Sequence, residues 1–102
     1  MSISILANAI GKAVAPSGGI SGSKTIAAAL TPEILTGTFK LKSGIWIQAG
    51  GANTGYLEVR IKSFTSGIRL NAGESFYVAI DDPSKIEVLV SVGGETVRWL
   101  GT

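Results

Sequence analysis

A chain of 102 residues, 45% apolar and only 16% charged, is long enough for one domain with one modest core; this excludes a second domain and a highly charged disordered tail. The net charge is +2, and the basic residues Lys12, Lys24, Lys40, Lys42, Arg60, Lys62, Arg69, Lys85 and Arg98 are scattered, so no phosphate-binding face and no direct contact with nucleic acid is expected. Neither Cys nor His occurs, which removes disulfides, thiolate zinc sites, the commonest metal ligand and the commonest general acid and base; no enzyme activity and no cofactor are expected.

From Met1 to about Ser23 the chain is small and weakly patterned, with Gly11, Pro16, Gly18, Gly19 and Gly22 among serines. Such a segment costs much backbone entropy to order and offers few side chains to bury. No basic residue precedes its apolar stretch, unlike a secretion signal, and no run reaches the roughly 18 apolar residues of a membrane span. The expectation is synthesis in a cytoplasm, no membrane contact, and a docking arm over residues 1–36. The arm would rest on a neighbouring subunit through Ile3, Ile5 and Ile20, with Ile3 to Ala7 adding a strand to it. Lys24 to Leu30 fits strand or helix equally. Thr31-Pro32-Glu33 has the makings of a cap on one helical turn ending at Leu35.

From Gly37 the period is close to two, and residues 37–102 are expected to form an all-β, antiparallel, jelly-roll-like β-sandwich. Phe39 and Leu41 alternate with Lys40 and Lys42; Ile45, Ile47 and Ala49 with Trp46 and Gln48; Leu57, Val59 and Ile61 with Glu58, Arg60 and Lys62. Gly50 to Gly55 and Gly93-Gly94 read as hairpin connections, while Thr65-Ser66-Gly67, Asn71-Ala72-Gly73 and Asp82-Pro83-Ser84 read as turns. Ser75 to Ile80 and Lys85 to Val92 are the most apolar runs and read as central strands. Thr96 to Leu100 would pair back across Gly93-Gly94.

Chemistry-bearing groups are few. Glu58 and Glu87 sit amid alternating charges, which is the pattern of a solvated face more than of a glycosidase pair. Asp81 and Asp82 offer oxygens to a calcium ion, but Asp before Pro is foremost a turn former, and no loop has the spacing of a calcium-binding hand. The Gly50 to Gly55 stretch lacks the Gly-Lys-Ser/Thr and helix of a phosphate cradle. Alternation turns Trp46 away from Ile45 and Ile47. With Tyr56 and Tyr77 it is a candidate interface residue, because aromatics concentrate at subunit contacts. The competing reading is a sugar- or receptor-binding module, with Trp46 and a ligand loop of Asn53, Thr54 and Tyr56.

Gly67 to Gly101 runs GIRLNAGESFYVAIDDPSKIEVLVSVGGETVRWLG. It resembles a module of small virion proteins of tailed bacteriophages, in which G-x-x-L-x-A-G-E-S leads into a strand, then L-S-K-I-Y-V, a glycine-rich turn and a terminal strand. Gly67, Leu70, Ala72, Gly73, Glu74 and Ser75 match the first part, and Ser84, Lys85, Ile86 and Val88 the second. The chain departs from the pattern by its arm and by Glu87, where an aromatic is usual. The resemblance implies a capsid decoration or cement protein, a head fibre, or a head-tail or tail component. It also implies residence in the virion and contacts with the major capsid protein or other virion proteins. A homo-oligomer goes with it, taken as a trimer by fold analogy.

Overall fold

The computed structural model describes residues 19–102. The strands are β1 (Ile20–Ile26), β2 (Glu33–Ile34), β3 (Ile45–Ala49), β4 (Leu57–Ile61), β5 (Ile68–Leu70), β6 (Ser75–Val78), β7 (Ile86–Val90) and β8 (Glu95–Gly101), with a 3-10 turn at Pro83–Lys85 before β7. Pairing is antiparallel throughout and nested: β1 with β8, β2 with β7, β3 with β6, β4 with β5. The chain is thus one long hairpin, closed between Ile61 and Ile68 and then rolled up. The further pairs β3 with β8 and β4 with β7 complete two four-stranded sheets, ordered β1-β8-β3-β6 and β2-β7-β4-β5. This is the eight-stranded jelly-roll arrangement.

Period-two alternation supplies the core. Ile26, Ile45, Ile47, Ala49 and Val97 point inward from the first sheet, and Leu57, Val59, Leu70, Ile86, Val88 and Val90 from the second, joined by Leu35 and Leu41. β-Branched side chains predominate, as a pleated, closely packed interior favours. Each fully buried one contributes about 1.5–3 kcal/mol relative to exposure. Trp99 points the same way and is partly buried against this cluster. It fits because Gly22, its register partner on β1, has no side chain: a Cβ there would lie 2.7 Å from the indole.

Several expectations are corrected. The sandwich begins at Ile20, not at Gly37: β1 forms a seven-residue ladder with β8, and Ile26 and Leu35 are fully buried. The backbone ladder offsets the scarcity of large side chains in this Gly/Ser-rich stretch. No helical turn forms at Thr31 to Leu35. Leu30 turns back at φ 57, its N–H donates to the Val90 carbonyl and that of Leu35 to Ile86, so pairing with β7 wins over a local cap. Phe39 to Lys42 keeps its alternation but joins no ladder; Leu41 N–H donates to Asp81 and Lys42 N–H to Thr102. Gly50 to Gly55 and Ser91 to Gly94 are not hairpins, since each carries the chain from one sheet to the other. β6 is an edge strand of its sheet, whereas β7 is interior. Ile3 and Ile5 lie outside the described residues.

Two substitutions test this packing. Ile47→Ala should cost about 2–5 kcal/mol by loss of transfer energy and a cavity. Gly22→Ala should cost about 1–3 kcal/mol by displacing the Trp99 ring. Urea unfolding followed by tryptophan fluorescence measures both, and an unchanged midpoint for Gly22→Ala would exclude the proposed ring contact.

Candidate functional site

The outward faces of the two sheets differ in chemistry. On the second sheet the outward residues are mainly ionic and compensated, with Leu89 buried and Ile34 partly buried among them. Glu58, almost fully buried, lies 3.5 Å from Arg60 Nε and 3.2 Å from Arg69 Nε. The Arg69 guanidinium in turn sits 4.1 Å from the centre of the Tyr56 ring, a cation–π contact. Register places Arg60 opposite Glu87.

The first sheet is different. One outward row, read across β1, β8, β3 and β6, is Ser21, Leu100, Trp46 and Tyr77; the next is Ser23, Arg98, Gln48 and Ser75; Thr25 and Thr96 follow. Leu100 is 58% exposed, Trp46 51% and Tyr77 39%. The Trp46 and Tyr77 rings meet edge to face with centroids 5.4 Å apart. Shallow depressions flank Trp46, one of about 520 Å³ between it and Ser23 and Arg98, the other of about 550 Å³ toward Ser43 and Thr102. Arg98 is the one charged side chain pointing out from these strands. Its Nε and Nη2 both donate to Gln48 Oε1, at 3.2 and 2.8 Å, while Gln48 Nε2 donates to the Gly73 carbonyl at 3.1 Å. A third apolar surface opens at the side of the sandwich between β5 and β6, where Ile61, Phe64, Ile68, Phe76 and Val78 line a slot of about 180 Å³.

Of the sequence-predicted interface residues, Trp46 and Tyr77 come together, and Ile20 lies partly buried at the start of β1 on the same sheet, facing the core. Tyr56 does not join them. It lies against Arg69 on the other sheet, so the predicted sugar platform of Trp46 and Tyr56 is not assembled. The ligand loop is also committed internally. Asn53 exchanges hydrogen bonds with the Thr96 backbone at 2.9 and 3.0 Å. The Glu95 carboxylate accepts from the Thr54 N–H, from Thr54 Oγ1 at 2.7 Å and from the Gly55 N–H at 3.1 Å. The loop does cradle an anion, but the anion is the protein's own. The grouping of Arg98, Gln48 and Leu100 is not legible in the sequence because it depends on register between distant strands. The alternation Thr96, Arg98, Leu100 was the only signal present.

Asp82 caps the 3-10 turn: Oδ1 accepts from the Ser84 N–H at 2.9 Å, Ser84 Oγ at 2.8 Å and the Phe39 N–H at 3.4 Å. The backbone and side-chain donors of Ser84 hold its carboxyl below the ordinary range. Asp81 pairs with Lys85 at 2.8 Å, and this hydrogen-bonded pairing lowers the aspartate and raises the lysine. Both carboxylates are engaged by protein donors, as the turn reading expects. Lys24, pointing inward at the sandwich edge, pairs with Glu33 at 3.1 Å and donates to the Ile34 carbonyl at 3.0 Å, tying the two sheets together.

Comparison of the chain with protein-family models, with curated proteins and with solved structures finds no match.

The donors of Thr54, first its N–H and then its hydroxyl, with the Gly55 N–H, lower the Glu95 carboxyl below its ordinary value against the opposing effect of burial. A carboxyl depressed in the folded state stabilises the fold fully above its unfolded value near 4.5 and loses that contribution as pH falls through the folded value. Glu95→Gln should therefore lower the urea midpoint at pH 7, with the gap from the parent closing as pH falls below 4.5 and through the depressed folded value. A gap independent of pH would show that charge is not what the loop binds.

Proposed function

We propose that this chain is a non-enzymatic structural protein of a tailed-bacteriophage particle, decorating or cementing its capsid, and that it docks through the outer face of the β1-β8-β3-β6 sheet. The observation that carries the reading is the composition of that face. Trp46, Tyr77 and Leu100 stand exposed in one row beside serines, threonines and a single arginine. A solvated face carries charges of both signs; one dominated by Trp, Tyr and Arg has the composition of interface hot spots. The jelly roll supports the particle assignment by analogy, because viral capsid domains use it. So does the match of Gly67 to Val88 to the virion module.

The size of the face fits cementing better than a stand-alone pair. Four strands about 4.8 Å apart, each about five residues long at about 3.4 Å rise, span roughly 320 Å² in projection. A stable two-body interface needs about 800 Å² on each partner. One face therefore binds weakly, and retention on a particle comes from several copies engaged at once, which a homo-oligomer such as a trimer provides. Apolar residues of the arm, Ile3 and Ile5, would add contacts to a neighbour.

The test has two parts. Mass spectrometry of particles banded from cells producing the protein should find the chain in many copies per particle. A photoreactive benzoylphenylalanine placed at Trp46 should cross-link to another subunit within those particles, while the same residue at Glu87, on the other sheet, should not. A chain absent from particles, or selective binding by the isolated protein on a glycan array, would overturn the assignment.

A further inference from the structure

The centre of the docking face holds a cation with no anion. Among the described residues no carboxylate lies within ion-pair distance of Arg98; Lys40, Lys42 and Lys62 are likewise unpaired but lie in connections outside this face, while Arg60 and Arg69 share Glu58, and Lys24 and Lys85 each have an acidic partner. Residues 1–18 contain neither Asp nor Glu, so the remainder of the chain brings no acidic side chain to it. The guanidinium is nevertheless held in place. Of its five N–H donors, Gln48 Oε1 takes one from Nε and one from Nη2, and Gln48 is itself anchored to the Gly73 carbonyl. What remains is the outer edge, Nη1 and the second hydrogen of Nη2, a fork whose spacing matches the two oxygens of a carboxylate.

Resting on the docking reading above, we infer that the partner is a protein surface that seats an Asp or Glu carboxylate on the outer edge of Arg98, next to an apolar group packed on Trp46 and Leu100. Fixing the guanidinium in advance removes most of the rotamer entropy that an exposed arginine would otherwise lose on binding. The surrounding Ser23, Ser75 and Thr96 carry no charge that would compete for either partner. The apolar row sets where the partner lies, and Arg98 sets which surface is accepted, because an apolar surface without an acid leaves the guanidinium covered and unpaired.

The probes are two blocked dipeptides, N-acetyl-Leu-Glu-amide and its Leu-Gln isostere, titrated into the full chain at neutral pH while the Arg98 Nε–H and Trp46 indole N–H signals are followed by NMR. The Glu probe should shift both signals and saturate at about five-fold lower concentration than the Gln probe. Arg98→Gln should abolish the difference without altering the thermal melt, and Arg98→Lys should retain only part of it. Equal affinity for the two probes, or a Glu preference that survives Arg98→Gln, overturns the inference. So does N-acetylneuraminic acid saturating the same signals below the Glu probe, which would make an acidic sugar the ligand. If the probes bind alike while the Trp46 cross-link still forms in particles, the carboxylate falls and the docking face stands. Absence of both removes the docking face as well.

Discussion

Strand n pairs with strand 9 − n, and everything else in the molecule follows from that nesting. Only β4 and β5 are joined by a local hairpin; every other connection leaves one sheet and enters the other. A connection that crosses between sheets cannot satisfy its own backbone as a two-residue hairpin does, so backbone and side-chain groups from elsewhere complete it. The polar residues serve this end. Glu95 binds the backbone of the β3–β4 connection, Asp82 caps the turn before β7, and Lys24 ties β1 to the strand that follows it on the opposite sheet. Charged groups that resemble catalytic or metal-binding candidates in the sequence are therefore consumed in closing loops that the topology makes awkward.

Nesting also explains the difference between the two outer faces. An inner strand of the first sheet, β8, is the last of the described strands in the chain and packs between β1 and β3, the two strands of that sheet furthest from it in sequence. Its outward residues find cross-strand neighbours among Ser21, Ser23, Trp46 and Gln48, none of them acidic. On the second sheet, β4 brings Glu58 and Arg60 alongside Arg69 and Glu87, and the charges cancel within the sheet. Charge compensated within the sheet needs no partner from outside even where Glu58 and Arg60 are largely buried, while an apolar row beside a lone cation is not the composition that water alone would select.

How much of this was legible in the sequence divides along the same line. Alternation at Ile45 to Ala49 and at Leu57 to Val59 located the strands, their buried faces and the outward Trp46, because a period of two is a local signal. Gly50 to Gly55 and Gly93-Gly94 were legible as turns but not as sheet crossings, since the residues that permit a tight turn do not state which sheet comes next. The strand β1 was hidden because its stabilisation comes from a backbone ladder and from the absence of a side chain at Gly22, neither of which registers as hydrophobic pattern. The pairing of Trp46 with Tyr77 and of Arg98 with Gln48 needs register across strands separated by tens of residues. That information exists only once the long hairpin has rolled up.

The weakness of a single sheet face then becomes a functional property and not a defect. A surface of a few hundred Å² that bound tightly by itself would need a large apolar patch, and such a patch would cause association before the correct partner was met. Restricting the apolar part to Leu100, Trp46 and Tyr77, and placing a fixed guanidinium in the adjoining row, lowers the strength of each contact and raises its selectivity. Discrimination falls to the cation, which is costly to cover without an anion. Affinity falls to repetition: several copies on one lattice multiply a weak contact into a durable one, while an isolated subunit on a wrong surface dissociates quickly.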